Sequence, residues 1–270
     1  MVMLLHIAKI PRSTYYYHCT HPANLEKHAA ERVEIRRICE QHKGRYGYRR
    51  VTLTLHQRGY RTNHKLVMKL MGAEHLTCVL RQKKYRSYRG EVGRVAPNLL
   101  KRNFKATRPN MKWVTDITEF KVMDQKLYLS PILDLFNGEI VSYTLSKTPD
   151  FRLVMDMLQQ AFPKIPDHPP LLLHSDQGWH YRMKPYRKML KDKGIKQSMS
   201  RKGNCYDNCV IETFFGMLKT EFFHNQPFSS PEDFQKQLAE YIHYYNYDRI
   251  KVKLKGLSPV QFRTQSFVSP

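Results

Sequence analysis

The stretch KWVTDITEFKV, residues 112–122, marks a change in the periodicity of the chain. Upstream, apolar residues fall at helical intervals among many basic ones. From here they come in β-branched and aromatic runs, as strands require. LYLSPILDLF (127–136) and EIVSYTLS (139–146) are second and third strand candidates, and Asn137-Gly138 between them is a tight-hairpin signal. Thr148-Pro149-Asp150 predicts a helix start, with Thr148 as N-cap, Pro149 in the first helical position, and Leu153, Val154, Met157, Leu158 and Ala161 as the buried stripe. PPLLLHSD (169–176) is short and continuously apolar, as expected of a strand at the centre of a sheet. A helix near 183–193, a strand near 195–199 and a helix within GNCYDNCVIETFFGMLKTEFF (203–223) follow. Ser230-Pro231-Glu232-Asp233 caps a last long helix with Phe234, Leu238, Tyr241, Ile242 and Tyr245 on one face. This order predicts an α/β fold built on a mixed sheet.

Working back from residue 112, the stretch 81–105 is basic, interleaved with Tyr85 and Tyr88, and carries Gly90, Gly93 and Pro97. It reads as an extended linker that tracks a phosphate backbone. Ahead of it, 31–43 reads as a helix with Val33, Ile35 and Ile38 among charged neighbours. Val51 and Leu55, with Leu53 at the margin, give a second short helix that Gly59 ends. Asn63 caps a third, with Leu66, Val67, Leu70 and Met71 inward. Two short basic helices across a glycine turn have the form of a helix-turn-helix. The expected organisation is an N-terminal segment (1–30), a helix-turn-helix-like domain (31–80), the linker (81–105) and a catalytic core with a C-terminal helical extension (106–267).

The 270 residues hold 46 Lys and Arg against 23 Asp and Glu, a formal charge of +23. Such an excess repels itself unless an anionic partner is bound, and nucleic acid is the leading candidate. Residues 1–105 carry 23 basic and 6 acidic residues, and the remainder carries 23 and 17, so the first part looks DNA-gripping and the second holds most of the acids. Candidate phosphate-binding residues are Arg49, Arg50, Lys65 and Lys69 in the helical part and Lys83, Lys84, Arg86 and Arg89 in the linker. The five cysteines form no CxxC pair, which argues against a disulfide framework and fits a reducing cytoplasm. MVMLLHIAKIP is too short and interrupted for a signal peptide, and no apolar run approaches the roughly 20 residues of a membrane span.

Three carboxylates stand out by context. Asp116 interrupts a strand-like run, where a buried unpaired acid would be costly. Asp176 follows directly on the central strand, at the sheet edge where α/β proteins bind ligands. Glu212 sits near the start of a helix, and by itself it is either a surface charge or a ligand. Together, in a basic protein, the three point to a site for hard divalent cations held by oxygen ligands. His174 and His180 flank Asp176, but no zinc spacing is present. Ser175 lacks the setting of a serine nucleophile, and no phosphate-binding glycine loop occurs.

WVTDITEF, HSDQGWHY and NCYDNCVIETFFGMLKTE, in that order, resemble the catalytic blocks of insertion-sequence transposases and retroviral integrases. Thirty-five residues separate Asp176 from Glu212, the spacing of the Asp-Asp-Glu group, and Lys219 matches its basic residue seven positions on. STYYYH (13–18), RYGYRRV (45–51), YRGEVGRVAPNLLKRNFKATRPNMKWVTD (88–116) and YNYDRIKVKLKGLSPVQF (245–262) extend the likeness to the OrfB transposases of the insertion-sequence-3 family, its insertion-sequence-150-like subgroup in particular. The resemblance implies a ribonuclease-H-like core, a mixed five-stranded sheet flanked by helices, behind a small all-α helix-turn-helix domain. It implies Asp116, Asp176 and Glu212 as catalytic residues and ligands of two Mg²⁺ or Mn²⁺ ions, and Lys219 as a DNA-binding residue. It implies hydrolytic nicking followed by attack of the freed 3′-hydroxyl on another phosphodiester. The partners implied are double-stranded DNA, as transposon ends and target, a homo-oligomer on DNA, and the upstream OrfA product as fusion or partner, in a bacterial cytoplasm at the nucleoid. Asn204 and Asn208 are read as holding the loop or the DNA, or as caps without a catalytic role. Trp113, Trp179, Cys205 and Cys209 are read as packing residues. The rival readings are a nuclease of the same fold that only hydrolyses, and a DNA-binding remnant whose carboxylates are structural.

Overall fold

In the N-terminal part, helical spacing of apolar residues builds a small three-helix unit. The computed structural model describes residues 11–13, 15–16, 28–78, 95–165 and 170–266, and the chain divides into Met1–Cys78 and Val79–Pro270. The first unit holds α1 (Ala29–Gln41), α2 (Tyr48–Gln57) and α3 (His64–Ala73). Ile35 and Ile38 of α1, Val51 and Leu55 of α2, and Val67, Leu70 and Met71 of α3 are buried together at i, i+3 and i, i+4 intervals. Val33 is 63% exposed: two positions from Ile35 is more than half a helical turn, so it lies on the outer face. Gly59, at φ +88°, takes the left-handed conformation that lets the Tyr60 N–H turn back to the Leu55 carbonyl and close α2. The Asn63 side chain caps α3 by accepting from the Lys65 N–H at 2.9 Å. Glu74, just past α3, is gripped by Arg32 and Arg36 of α1, and Arg58 pairs with Glu34.

The second unit is a sheet with helices on both faces. Its strands are β1 (Lys112–Thr115), β2 (Thr118–Val122), β3 (Gln125–Asp134), β4 (Ile140–Ser146), β5 (Leu172–Ser175) and β6 (Lys196–Met199). β1 and β2 both pair with the same side of β3, β4 takes its other side, and β5 and β6 continue from β1. The β1–β5 and β5–β6 pairs are parallel and the others antiparallel, so the sheet is mixed. It has six strands in five positions, because the single strand expected over 112–122 is broken at Asp116–Ile117. The break has a cause on β3. Thr115 pairs with Ile132 and Thr118 with Leu129, which leaves Ser130–Pro131 opposite Asp116–Ile117. Pro131 has no N–H to offer the ladder, and its carbonyl, on the same side, accepts from the Thr115 hydroxyl at 2.8 Å instead.

Alternation along the strands feeds two cores. Val114, Phe120, Leu129 and Leu133 pack against the long helices α7 (Cys209–Glu221) and α8 (Pro231–Tyr247). Trp113, Ile132, Val141 and Leu173 face α4 (Phe151–Ala161) and α6 (Lys184–Asp192) on the other side. The cap of α4 lies two residues later than Thr148: Asp150 accepts from the Leu153 N–H, while Thr148 donates its hydroxyl to Asp150. The β3–β4 connection runs over five residues rather than a two-residue turn. Gly138 (φ +72°) donates to the Asp134 carbonyl, and Asn246 of α8 makes both of its amide bonds to Ile140 at the start of β4. A short helix α5 (Trp179–Arg182) follows β5, and α9 (Pro259–Ser266) closes the described chain. No helix among the described residues is long and apolar enough to cross a membrane.

Candidate active site

The parallel register of β1 and β5 pairs Val114 with His174, so Asp116 and Asp176 each stand two residues further on, side by side at one edge of the sheet. This is the edge at the C-terminal ends of parallel strands, where neighbouring loops diverge and leave a crevice. Asp116 occupies the β1–β2 break, free of ladder pairing. Its Oδ1 accepts from the Ile117 N–H at 2.8 Å and its Oδ2 from Asn208 Nδ2 at 3.0 Å. Asp176 Oδ1 accepts from the Gly178 N–H at 2.9 Å. Glu212 comes from a third element, in the first turn of α7, where the helix dipole favours a negative charge. Ile211, Phe214, Phe215 and Leu218 bury the sheet-facing side of that helix and fix its rotation.

The electrostatics set these carboxylates against one another. Burial pushes Asp116 well above the usual carboxylate range, the charges of Asp176 and then Glu212 push it further, and the Ile117 and Asn208 donors oppose them. Asp176 is raised by burial, with the Gly178 N–H and His180 opposing. The buried Tyr181 and Tyr186 lie close enough to feel these charges, and both phenols are raised, chiefly by burial. Among the described residues no three His, Cys, Asp or Glu side chains stand close enough together to hold a metal ion as they are placed. The donor set nevertheless suits a hard divalent cation. It consists of carboxylate oxygens, and the buried Oδ1 of Asn208 beside Asp116 has no hydrogen-bond partner among the described residues.

Other sequence-selected residues have varied settings. Lys219 is half-buried, seven residues and thus about two turns beyond Glu212 on the same helix flank. Its Nζ lies 5.4 Å from the centre of the Phe120 ring. Burial lowers its pKa and the charge of Glu119 opposes that shift. Arg49, Lys65 and Lys69 are exposed, whereas Arg50 donates to the Arg45 carbonyl at 2.9 Å and covers the Tyr46 ring, a role in the fold. Lys83, Lys84, Tyr85, Arg86, Tyr88 and Arg89 lie outside the described residues. His174 bonds Ser198 through Nδ1 at 2.8 Å, and His180 meets the Pro149 carbonyl at 2.7 Å. Trp113 is fully buried, as read, but Trp179 is 48% exposed and stacks on His180, which corrects its reading as a packing residue. Asp207, unremarked in sequence, is fully buried against Arg201 and Arg102, and Arg201 foremost holds its carboxyl well below the usual range. Its signal is slight: an acid beside Asn208 in a loop that already offers several small polar residues.

Comparison with known proteins gives the chain a family. Residues 106–205 and 212–267 each match the family described as Integrase core domain, and residues 25–84 match an HTH-like domain. The chain is 55% identical over 265 residues to the InsK protein of insertion sequence element IS150 from Escherichia coli strain K12, covering 98% of this chain and 94% of that protein. The transposase InsF of insertion sequence IS3A, from the same organism, is 32% identical over 96% of this chain and 92% of its own length. The chain belongs to the insertion-sequence transposases of the IS3 family. A solved simian T-cell lymphotropic virus intasome, in complex with PP2A regulatory subunit B56 gamma, aligns with the transposase over 83% of this chain and 73% of that chain, at TM-score 0.51 and 19% identity. At that identity the likeness is one of fold. With the integrase-core match and the strand order above, it makes the catalytic unit of the transposase ribonuclease-H-like.

Proposed function

We propose that this transposase nicks the ends of its element and joins the freed 3′-hydroxyls to target DNA at the Asp116–Asp176–Glu212 site, with Mg²⁺ or Mn²⁺ held by these carboxylates. What supports the reading is that Asp116 and Asp176 each follow by two residues the paired Val114 and His174, with Glu212 in the first turn of α7 and its charge, like that of Asp176, acting on Asp116. Bound divalent cations would activate the attacking oxygen and stabilise the leaving one in an in-line phosphoryl transfer. The chain's own part is positioning. The Ile117 N–H and Asn208 aim the two oxygens of Asp116, and the Gly178 N–H aims Asp176. The apolar side of α7 keeps Glu212 turned toward the sheet, and Lys219 on the same flank offers a cation to a phosphate. Arg49, Lys65 and Lys69 of the helix-turn-helix-like unit supply exposed charge for duplex DNA. Assembly into a homo-oligomer on DNA, and an OrfA product as fusion or partner, accompany the reading.

The test compares the protein with its Asp116→Asn, Asp176→Asn and Glu212→Gln variants. The substrates are uncut element ends and pre-cut ends bearing a free 3′-hydroxyl. Each variant should lose both cleavage and joining while keeping DNA affinity. Unchanged joining in all three would reject the site, and cleavage by the parent protein with no joined product would leave a nuclease that only hydrolyses.

A further inference from the structure

The carboxylate of Asp207 sits at a crossroads between the start of the core and its active-site helix. Arg201 holds it through two guanidinium bonds of 2.9 Å and a main-chain N–H at 3.0 Å. From more than a hundred residues upstream, Arg102 Nε donates to its Oδ1 and Asn98 Nδ2 to its Oδ2, both at 2.9 Å. These two residues belong to a strap, 95–102, that lies along β6. The N–H groups of Leu99 and Leu100 donate to Ser198 Oγ at 2.9 and 3.2 Å, and Leu100 is buried. Ser198 is also the partner of His174, two residues before Asp176. Lys101 and Arg102 both take left-handed backbone angles, φ 46° and 60°. Such angles persist in bulky residues only where the surroundings over-determine them. On the other side of Asp207, the next residue is Asn208, which donates to Asp116 and precedes the first turn of α7.

We propose that Asp207, clamped by Arg102 and Asn98, is a positioning residue of the active site, holding Asn208 against Asp116 and fixing the helix start that presents Glu212. The strap at 95–102 then belongs to the catalytic apparatus rather than to a passive connector. This rests on the reading of Asp116, Asp176 and Glu212 as the metal-holding set. A clamp that serves the fold alone would alter stability and folded fraction, and nothing specific to the site.

Arg102→Ala is the discriminating variant, because the Arg102 side chain is 45% exposed and Arg201 remains on the carboxylate after its removal. Arg102→Lys and Asp207→Asn complete the series in the full chain. Three quantities are read: the thermal midpoint, Mn²⁺ binding without DNA followed by the resonance signal of free Mn²⁺, and joining of pre-cut ends across a Mg²⁺ titration. Arg102→Ala should keep its midpoint within a few degrees and raise the Mn²⁺ half-saturation roughly tenfold, at the low end of what partners behind a metal ligand contribute. Its joining should fall at low Mg²⁺ and recover at high Mg²⁺, with Arg102→Lys in between. Folded Arg102→Ala and Asp207→Asn variants with unchanged Mn²⁺ half-saturation would overturn the proposal, and so would joining that falls only in step with folded fraction. Asp116→Asn separates the two levels. If it binds Mn²⁺ as the parent does, the site reading falls and takes the clamp with it. If it loses Mn²⁺ while Arg102→Ala does not, the clamp alone falls.

Discussion

Gly178 shows how closely one residue can govern a carboxylate without touching the reaction. Its backbone, at φ −54° and ψ 142°, suits any amino acid, so glycine is not needed there for conformation. It is needed for space: a Cβ would meet Asp176 Oδ1 at 2.9 Å and the Tyr181 ring at 3.3 Å. The oxygen is the movable end of a side chain, so Gly178→Ala should fold normally but push Asp176 out of line. Joining should fall on the order of 10–100-fold, as expected for displacement of a reacting group by a fraction of an ångström to one ångström, with the thermal midpoint little changed. Activity equal to the parent protein would show that Asp176 tolerates the shift. At this scale the sequence reveals the acids but not their supports. Asp116 and Asp176 declare themselves by interrupting or ending apolar runs, and Glu212 by its interval of 35 residues from Asp176. Asn208 is picked out only through the family resemblance and Asp207 not at all, since both sit in a polar loop, and only the three-dimensional path brings Asp116 and Arg102 to them.

Among the elements, α7 is fixed at both ends, and its far end depends on a buried ion pair. Arg249 donates through Nε and Nη2 to the two oxygens of Glu221 at 2.8 and 2.5 Å, and the Tyr241 hydroxyl adds a bond at 3.0 Å. Glu221 and Arg249 are both buried, and the pairing with Glu221 raises Arg249 against the desolvation that would lower it. Glu221→Gln would leave the guanidinium without its counter-charge, at a cost of about 3–5 kcal/mol. Denaturant midpoints would measure that loss. The double change Glu221→Gln with Arg249→Met should recover part of it, and a double variant no better than the single one would assign the cost to packing. The elements themselves are largely legible in the sequence: the periodicity of 31–43, 151–161 and 231–245 gives helices and that of 127–146 gives strands. The break of the first strand is not. It depends on Pro131 in a different strand meeting Asp116–Ile117, a pairing that no local pattern contains. The cap of α4 falls at Asp150 rather than Thr148 because both are capping residues, and their hydrogen bond to each other lets either position be read as the start.

For the whole molecule, the +23 charge acts through long-range electrostatics. In the helical unit, Arg32, Arg36 and Arg58 are held by acids of the same unit, while Lys65 and Lys69 stand exposed one turn apart on α3. Lys65→Ala with Lys69→Ala should weaken duplex binding and reduce the slope of log affinity against log salt by about 1 for each phosphate that is no longer neutralised. Equal slopes before and after would place the DNA on another surface of the chain. The stability of either unit should change little, since neither lysine carries an ion pair among the described residues.

The two tryptophans divide the molecule's light emission between its interior and the rim of the proposed site. Trp113 is sealed in the core and bonded to Asn110 at 3.2 Å, while Trp179 opens to solvent three residues from Asp176. The first should emit to the blue and shift only when the core melts. The second should emit to the red, be reached by iodide, and dim when a nucleobase or backbone covers the rim. The protein thus carries its own optical probes, one for folding and one for occupancy of the proposed site, and Trp179→Phe silences the second without disturbing the first.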